Sequence, residues 1–178
     1  MKFAVERLGV KVIVSDDPSV ILSADKVLLP GVGSASSAMN NINQKLLVDT
    51  IQQITNPVLG ICLGMQLMCQ SSEEGNTTGL GIFNVDVVKF SKKVKVPQIG
   101  WNEISNLKTN LFKDVKEGSH IYMVHSFYAP LSNETIATSN YEVDYSAALQ
   151  KDNFYGTQFH PEKSGVEGSK ILQNFLNL

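Results

Sequence analysis

The chain has 178 residues, the length of one domain, with 43% hydrophobic and 18% charged residues. A net charge of -2 argues against nucleic acid or an anionic membrane surface as a partner. No apolar run is long enough for a membrane span and no basic-then-apolar leader opens the chain, so a single cytoplasmic domain over residues 1–178 is expected.

Helix-like and strand-like segments alternate through the first half. "MKFAVERLG" reads as a helix closed by Gly9, and "VKVIV" (10–14) as a strand. "SDDPSVILSA" carries capping residues and Pro18, which predicts a short helix. "KVLLP" (26–30) reads as a strand, "GVG" as a turn, and 34–55 as helical with a break near "NNIN". "PVLGI" (57–61) predicts a buried strand and "LGMQLMCQ" a helix, with Cys69 in its middle as core. "SSEEGNTTG" (71–79) has the composition of a solvated loop.

The second half is rich in strands: 82–90, 99–104, 120–128, 134–140, 145–150 and 154–160, several in antiparallel hairpins. "GVEGSKILQNFLNL" closes the chain as a helix with Ile171, Leu172, Phe175 and Leu176 on its apolar side. The expected fold class is α/β, a mixed, mostly parallel sheet with helices on both faces.

Chemistry concentrates at two places. Gly60-Ile61-Cys62-Leu63-Gly64 has the form small-x-nucleophile-x-small. A nucleophile on a strand-to-helix turn needs room on both sides, because the two backbones approach closely there. That turn would put the Cys62 thiol at a helix N-terminus, which favours thiolate, with the Leu63 amide near a developing oxyanion. Spacing alone leaves a buried structural cysteine among packing glycines equally open.

The second place is "TQFHPEKSG", where His160 follows an apolar strand and Glu162 stands two residues on. In extended chain both side chains share a face, so Glu162 can orient the imidazole while His160 meets the thiol. His120 and His125 lack a carboxylate in such register. "LLPGVGSA" gives a tight turn whose amides could add a second oxyanion donor; read as a dinucleotide motif it fails at Ser36. No CxxC pair or HExxH occurs, so neither metal nor cofactor is expected.

"PGVG", "GICLGMQ" and "FHPE", in this order, resemble the class I (triad) glutamine amidotransferases, whose fold is flavodoxin-like. "VPQIGWNEI", "VHSFY" and "QKDNFYGTQFHPEKSG" are similar to the HisH-type glutaminase subunits of imidazole glycerol phosphate synthase, over nearly the whole chain. The resemblance implies hydrolysis of glutamine to glutamate and ammonia by Cys62, His160 and Glu162. It implies oxyanion donors from Leu63 and the Gly31-Val32-Gly33 turn. Gln66, Ser126 and Phe127 would line the glutamine pocket, Phe127 through its backbone because phenylalanine replaces the commoner tyrosine.

The resemblance also implies a partner, since the chain has no room for an ammonia-accepting domain. That partner is a (β/α)₈ cyclase forming a heterodimer, which makes imidazole glycerol phosphate and an aminoimidazole carboxamide ribotide in histidine biosynthesis. Pro97, Gly100, Trp101, Asn102, Tyr122 and Lys163 map to the interface; a core position is the competing reading for Trp101. Family members open with a strand and a Gly- and Asn-bearing loop, whereas this sequence starts inside the following helix, so the first strand of the sheet is expected to be lacking. Two alternatives remain: a paralogue supplying ammonia for amidation of a surface sugar, and a non-catalytic regulatory protein of the same fold.

Overall fold

A computed structural model describes residues 1–178. In chain order the elements are α1 (Lys2–Glu6), α2 (Pro18–Ser23), β1 (Val27–Gly31), α3 (Ala35–Gln44), α4 (Val48–Gln52), β2 (Val58–Cys62) and α5 (Leu63–Leu67). Then come β3 (Cys69–Ser72), β4 (Thr77–Thr78), β5 (Phe83–Lys89), β6 (Gln98–Ile104), β7 (Ser119–His125) and β8 (Phe127–Tyr128). The chain ends with β9 (Thr135–Tyr141), β10 (Val143–Lys151), β11 (Phe154–Thr157) and α6 (Gly165–Leu176). Local chemistry sets several of these ends. Asp17 caps α2 by accepting from the amides of Ser19 and Val20, and Ser34 caps α3 by accepting from Ser37 N.

The main sheet has five strands in the order β1-β2-β11-β10-β9. β1, β2 and β11 are parallel neighbours. β10 runs against both β11 and β9, so β9 again points with the parallel group. Smaller sheets, β4-β3-β5-β8 and β6-β7, extend the molecule. Alternation along β2 divides the core. Val58 faces a cluster with Ile51, Met65, Met68 and Phe83, built under α3, α4 and α5. Leu59 and Ile61 face a second cluster with Ile104, Ile121, Phe159, Ile171 and Phe175, under α6 and the β6–β7 hairpin. Burial on both faces explains why β2 reads as an unbroken apolar run.

Several expectations change. Residues 10–14 form no strand, and Val10, Ile13 and Val14 are exposed. A β-branched run is only compatible with a strand; it needs a ladder partner, and β1 pairs with β2 alone. The helix over 63–70 stops at Leu67, because the segment at 80–83 claims the carbonyls at its end: Leu80 N donates to Leu67 O, and Ile82 N and Phe83 N donate to Met68 O. Cys69 is therefore the first residue of β3 rather than mid-helix, though fully buried as core. The polar stretch 71–79 is a hairpin, with Ser71 opposite Thr78 and Ser72 opposite Thr77. The run 120–128 breaks at Ser126 into β7 and β8, and the helical break falls at 45–47, just past "NNIN".

Gly64 lets α5 lie directly on β1: a Cβ there would sit inside the contact distance of the Leu29 carbonyl. Both groups are backbone and cannot swing away. Gly64→Ala is therefore expected to cost about 3 kcal/mol and to lower the melting temperature by roughly 6–12 °C. Gly81→Ala, with open space around it, is the control in the same thermal melts, carrying only the backbone strain of its φ of 66°. Equal melting points for Gly64→Ala and the unsubstituted chain would contradict the close approach.

Candidate active site

Cys62 ends β2 and is the N-cap of α5, with φ 54° and ψ -113°. A non-glycine residue at such angles is strained, the strain expected where a strand turns abruptly into a helix. β11 lies beside β2 in parallel register, Thr157 opposite Ile61. Their carboxyl ends therefore finish side by side, and the residues after β11 pass next to the sulfur. This adjacency brings His160 to Cys62 from far along the chain.

His160 Nδ1 lies 3.0 Å from Glu162 Oε1. The pair is closed by a 3₁₀ turn, Pro161–Lys163, rather than by two extended residues. The His160 amide donates to Tyr122 O, and Ser164 Oγ donates to the His160 carbonyl, so the ring's backbone is held from both sides. His160 is pushed up to about 9, first by hydrogen bonding with the Cys62 thiol, then by Glu162, with burial opposing. At neutral pH it is an imidazolium. Burial pushes the Glu162 carboxyl up, but hydrogen bonds from His160 and from its own backbone, with the imidazolium charge, hold it below its ordinary value. Cys62 Sγ also lies 3.8 Å from the Val124 carbonyl and 3.9 Å from Gln158 Nε2.

A cavity of about 200 Å³ opens onto the sulfur. Gly33, Cys62, Leu63, Gln66, Ser126 and Phe127 line it, as do Glu74, Pro97, Val124 and His125. Of the Gly31-Val32-Gly33 turn, only Gly33 reaches the wall. Gly31 stands opposite Cys62 in the sheet and packs on the Leu63-Gly64 backbone, and Val32 is 87% exposed. His160 and Glu162 do not line the cavity themselves.

Gln66 is buried and its Nε2 donates to the Phe127 carbonyl and to Gln158 Oε1, both at 2.8 Å. Phe127 thus enters through its backbone. Its carbonyl also faces His125 Nδ1 at 2.8 Å, and since a carbonyl only accepts, that nitrogen carries the proton. Burial pulls His125 down to about 4, with the hydrogen bond opposing and the charge of His160 adding to the fall. The ring is neutral and fixed, so it does not compete with His160 as a base. His120 is exposed on β7.

Glu74, Val124 and Gln158 are site residues that sequence reading misses. Glu74 hides in a polar run, yet its Oε2 accepts from Ala35 N at 2.7 Å across 39 residues. The residues expected at an interface divide. Trp101 is 57% exposed, not core, and meets Tyr122 edge-on at 6.2 Å; Lys163 Nζ lies 5.7 Å from the Tyr122 ring centre. With exposed Ile99 and with Gly100 between them, they form an open apolar face on β6 and β7. Pro97 instead lines the cavity. Asn102 is committed internally, its Nδ2 donating to Ser139 Oγ and Asn140 O and its Oδ1 accepting from Glu103 N.

The sequence profile of the family "Glutamine amidotransferase class-I" matches residues 3–178. A Bacteroides fragilis protein described as imidazole glycerol phosphate synthase subunit HisH is 51% identical, over 99% of this chain and 91% of its own length. One of the same description from Haemophilus influenzae is 46% identical, over 99% and 89%. Among solved structures, one described as a putative GMP synthase subunit from Thermoplasma acidophilum superposes with TM-score 0.76 at 23% identity, covering 99% of this chain and 84% of that one. A structure described as glutamine amidotransferase gives the same score at 14% identity, over 99% and 90%. No helix is long and apolar enough to cross a membrane. Matched by profile over nearly its whole length and half identical to curated relatives, the chain belongs to the class I glutamine amidotransferase family.

Proposed function

We propose that this chain is the glutaminase subunit of an imidazole glycerol phosphate synthase, acting in the cytoplasm as one domain over residues 1–178. It hydrolyses L-glutamine and hands ammonia to a cyclase partner in histidine biosynthesis. The observation that carries the glutaminase reading is the sulfur of Cys62 beside the His160 ring that Glu162 holds, at the mouth of a small cavity, and the likeness to HisH subunits supports the rest.

The chemistry comes from those positions. The Cys62 sulfur attacks the side-chain amide carbon of glutamine, and the carbonyl electrons move to oxygen. The Leu63 amide, first in α5 and on the cavity wall, is the donor for that oxyanion in this reading. His160 gives its proton to the leaving nitrogen, the carbon–nitrogen bond breaks, and ammonia departs from a thioester. A water then gives a proton to His160 and attacks the thioester, which releases glutamate and frees the Cys62 sulfur beside the reprotonated ring. Glu162 keeps the ring aimed and its charge compensated. Glu74, with Oε2 fixed by Ala35 N, offers carboxylate charge in the cavity for the substrate's α-ammonium. Tyr122 and Lys163 adjoin His160 in space and in sequence, so a partner seated on the Trp101 face would receive ammonia close to where it is released.

Three outcomes are expected. In glutamine turnover with the cyclase present, Cys62→Ala abolishes activity, whereas Glu162→Gln leaves folding intact and lowers kcat by about 100-fold. Full turnover by the alanine variant would remove the assignment. Trp101→Ala, at a side chain that does not line the cavity, weakens cyclase binding by about 30-fold in a titration; unchanged affinity would place the interface elsewhere. The third concerns pH. His160 is raised in the folded chain, so its protonated form adds stability that is complete below the ordinary value of 6.5 and is lost as pH rises through about 9. The melting-point gap between the unsubstituted chain and His160→Asn should shrink across that window; a constant gap would show that the ring is not an imidazolium.

A further inference from the structure

Gln158 takes no part in the steps above, yet its side chain is polar and wholly buried. It follows Thr157, the last residue of β11, so continuing the register places it opposite Cys62. Its amide bridges two site residues: Oε1 accepts from Gln66 Nε2 at 2.8 Å, and Nε2 faces Cys62 Sγ at 3.9 Å.

The direction of this chain of hydrogen bonds is fixed from its far end. The Phe127 carbonyl can only accept, so the Gln66 end that faces it is the NH₂ group. That group's second hydrogen goes to Gln158, whose facing atom must then be oxygen. The remaining end of Gln158, turned to the sulfur, is therefore an N–H donor. Every alternative orientation sets two donors or two acceptors against each other inside a buried site, which costs more than a lost hydrogen bond.

We propose that Gln158 is a positioning residue for the nucleophile: its N–H holds the Cys62 sulfur as an acceptor and ties it to Gln66 in the cavity wall. A donor aimed at sulfur supports the anion more than the thiol, because the anion is the better acceptor. The 3.9 Å contact is at the long end for a donor to sulfur, whose radius exceeds that of oxygen.

The inference rests on Cys62 being the nucleophile, and the test separates the two. Alkylation by iodoacetamide at neutral pH reports on Cys62 in the full chain, because Cys69 is fully buried with its thiol pushed far up by that burial. Gln158→Met keeps the length but removes both the donor to the sulfur and the acceptor for Gln66 Nε2, an acceptor that Gln158→Glu retains. It is expected to slow alkylation by about tenfold and to lower kcat for glutamine by about tenfold with the cyclase present, while KM stays within about twofold. Gln158→Glu keeps the shape, turns acceptor oxygens toward the sulfur, and should slow both steps at least as much. Thermal melts check folding, and if the methionine variant unfolds, the glutamate variant carries the test.

Folded variants that alkylate at the normal rate, or that change KM alone, would overturn the proposal. Loss of folding in both would also overturn it, by making Gln158 a structural residue. Cys62→Ala in the same assays distinguishes the failures. Turnover surviving there ends the nucleophile assignment, whereas its loss beside an ordinary Gln158→Met ends only the role of Gln158.

Discussion

The parallel pairing of β2 with β11 is the constraint on which the site depends. Two parallel neighbours end at the same edge of the sheet, so the residues just beyond each strand meet there. Cys62 ends β2 at its turn, and after β11 come Gln158 and His160. Nothing local brings these residues together, since Cys62 and Gln158 stand 96 positions apart. The pairing is in turn held by burial on both faces, with Val58 in one cluster and Leu59, Ile61 and Phe159 in the other.

Electrostatics then differentiates side chains of similar type. Two histidines lie near the sulfur, and their surroundings drive them to opposite states. His160 has a thiol on one side and a carboxylate on the other and is held charged. His125 is enclosed with Phe90 and Tyr145, gives its one proton to a backbone carbonyl, and stays neutral. The charged ring also repels a proton from its neighbour, which sharpens the division. Only His160 is thereby in a state suited to the proton transfers proposed above, while His125 lines the cavity.

Much of this is legible in the sequence where one residue type has one strong reason to be present. Gly60 and Gly64 announce a turn that needs room, and both would clash if given a Cβ. The offset between His160 and Glu162 announces an oriented imidazole, although the turn that closes the pair differs from the extended chain expected. Other features depend on partners that no local pattern carries. The strand expected at 10–14 has no ladder to join, and α5 ends where residues 80–83 take its carbonyls. Glu74 and Gln158 look ordinary in sequence, one in a polar run and one in an apolar strand, and acquire meaning only through contacts 39 and 92 residues away. Asn102 reads as available to a partner, but both hydrogens of its Nδ2 are used inside the chain.

Whether the sulfur at the end of β2 attacks glutamine is tested most directly by trapping the acyl intermediate. The chain, with its cyclase present, is mixed with glutamine, quenched in acid within the first turnover, digested and weighed peptide by peptide. A glutamyl adduct should be found on the peptide bearing Cys62, absent without glutamine. Steady ammonia release with no adduct on that peptide, or with an adduct on another residue, would contradict the mechanism built on that strand end.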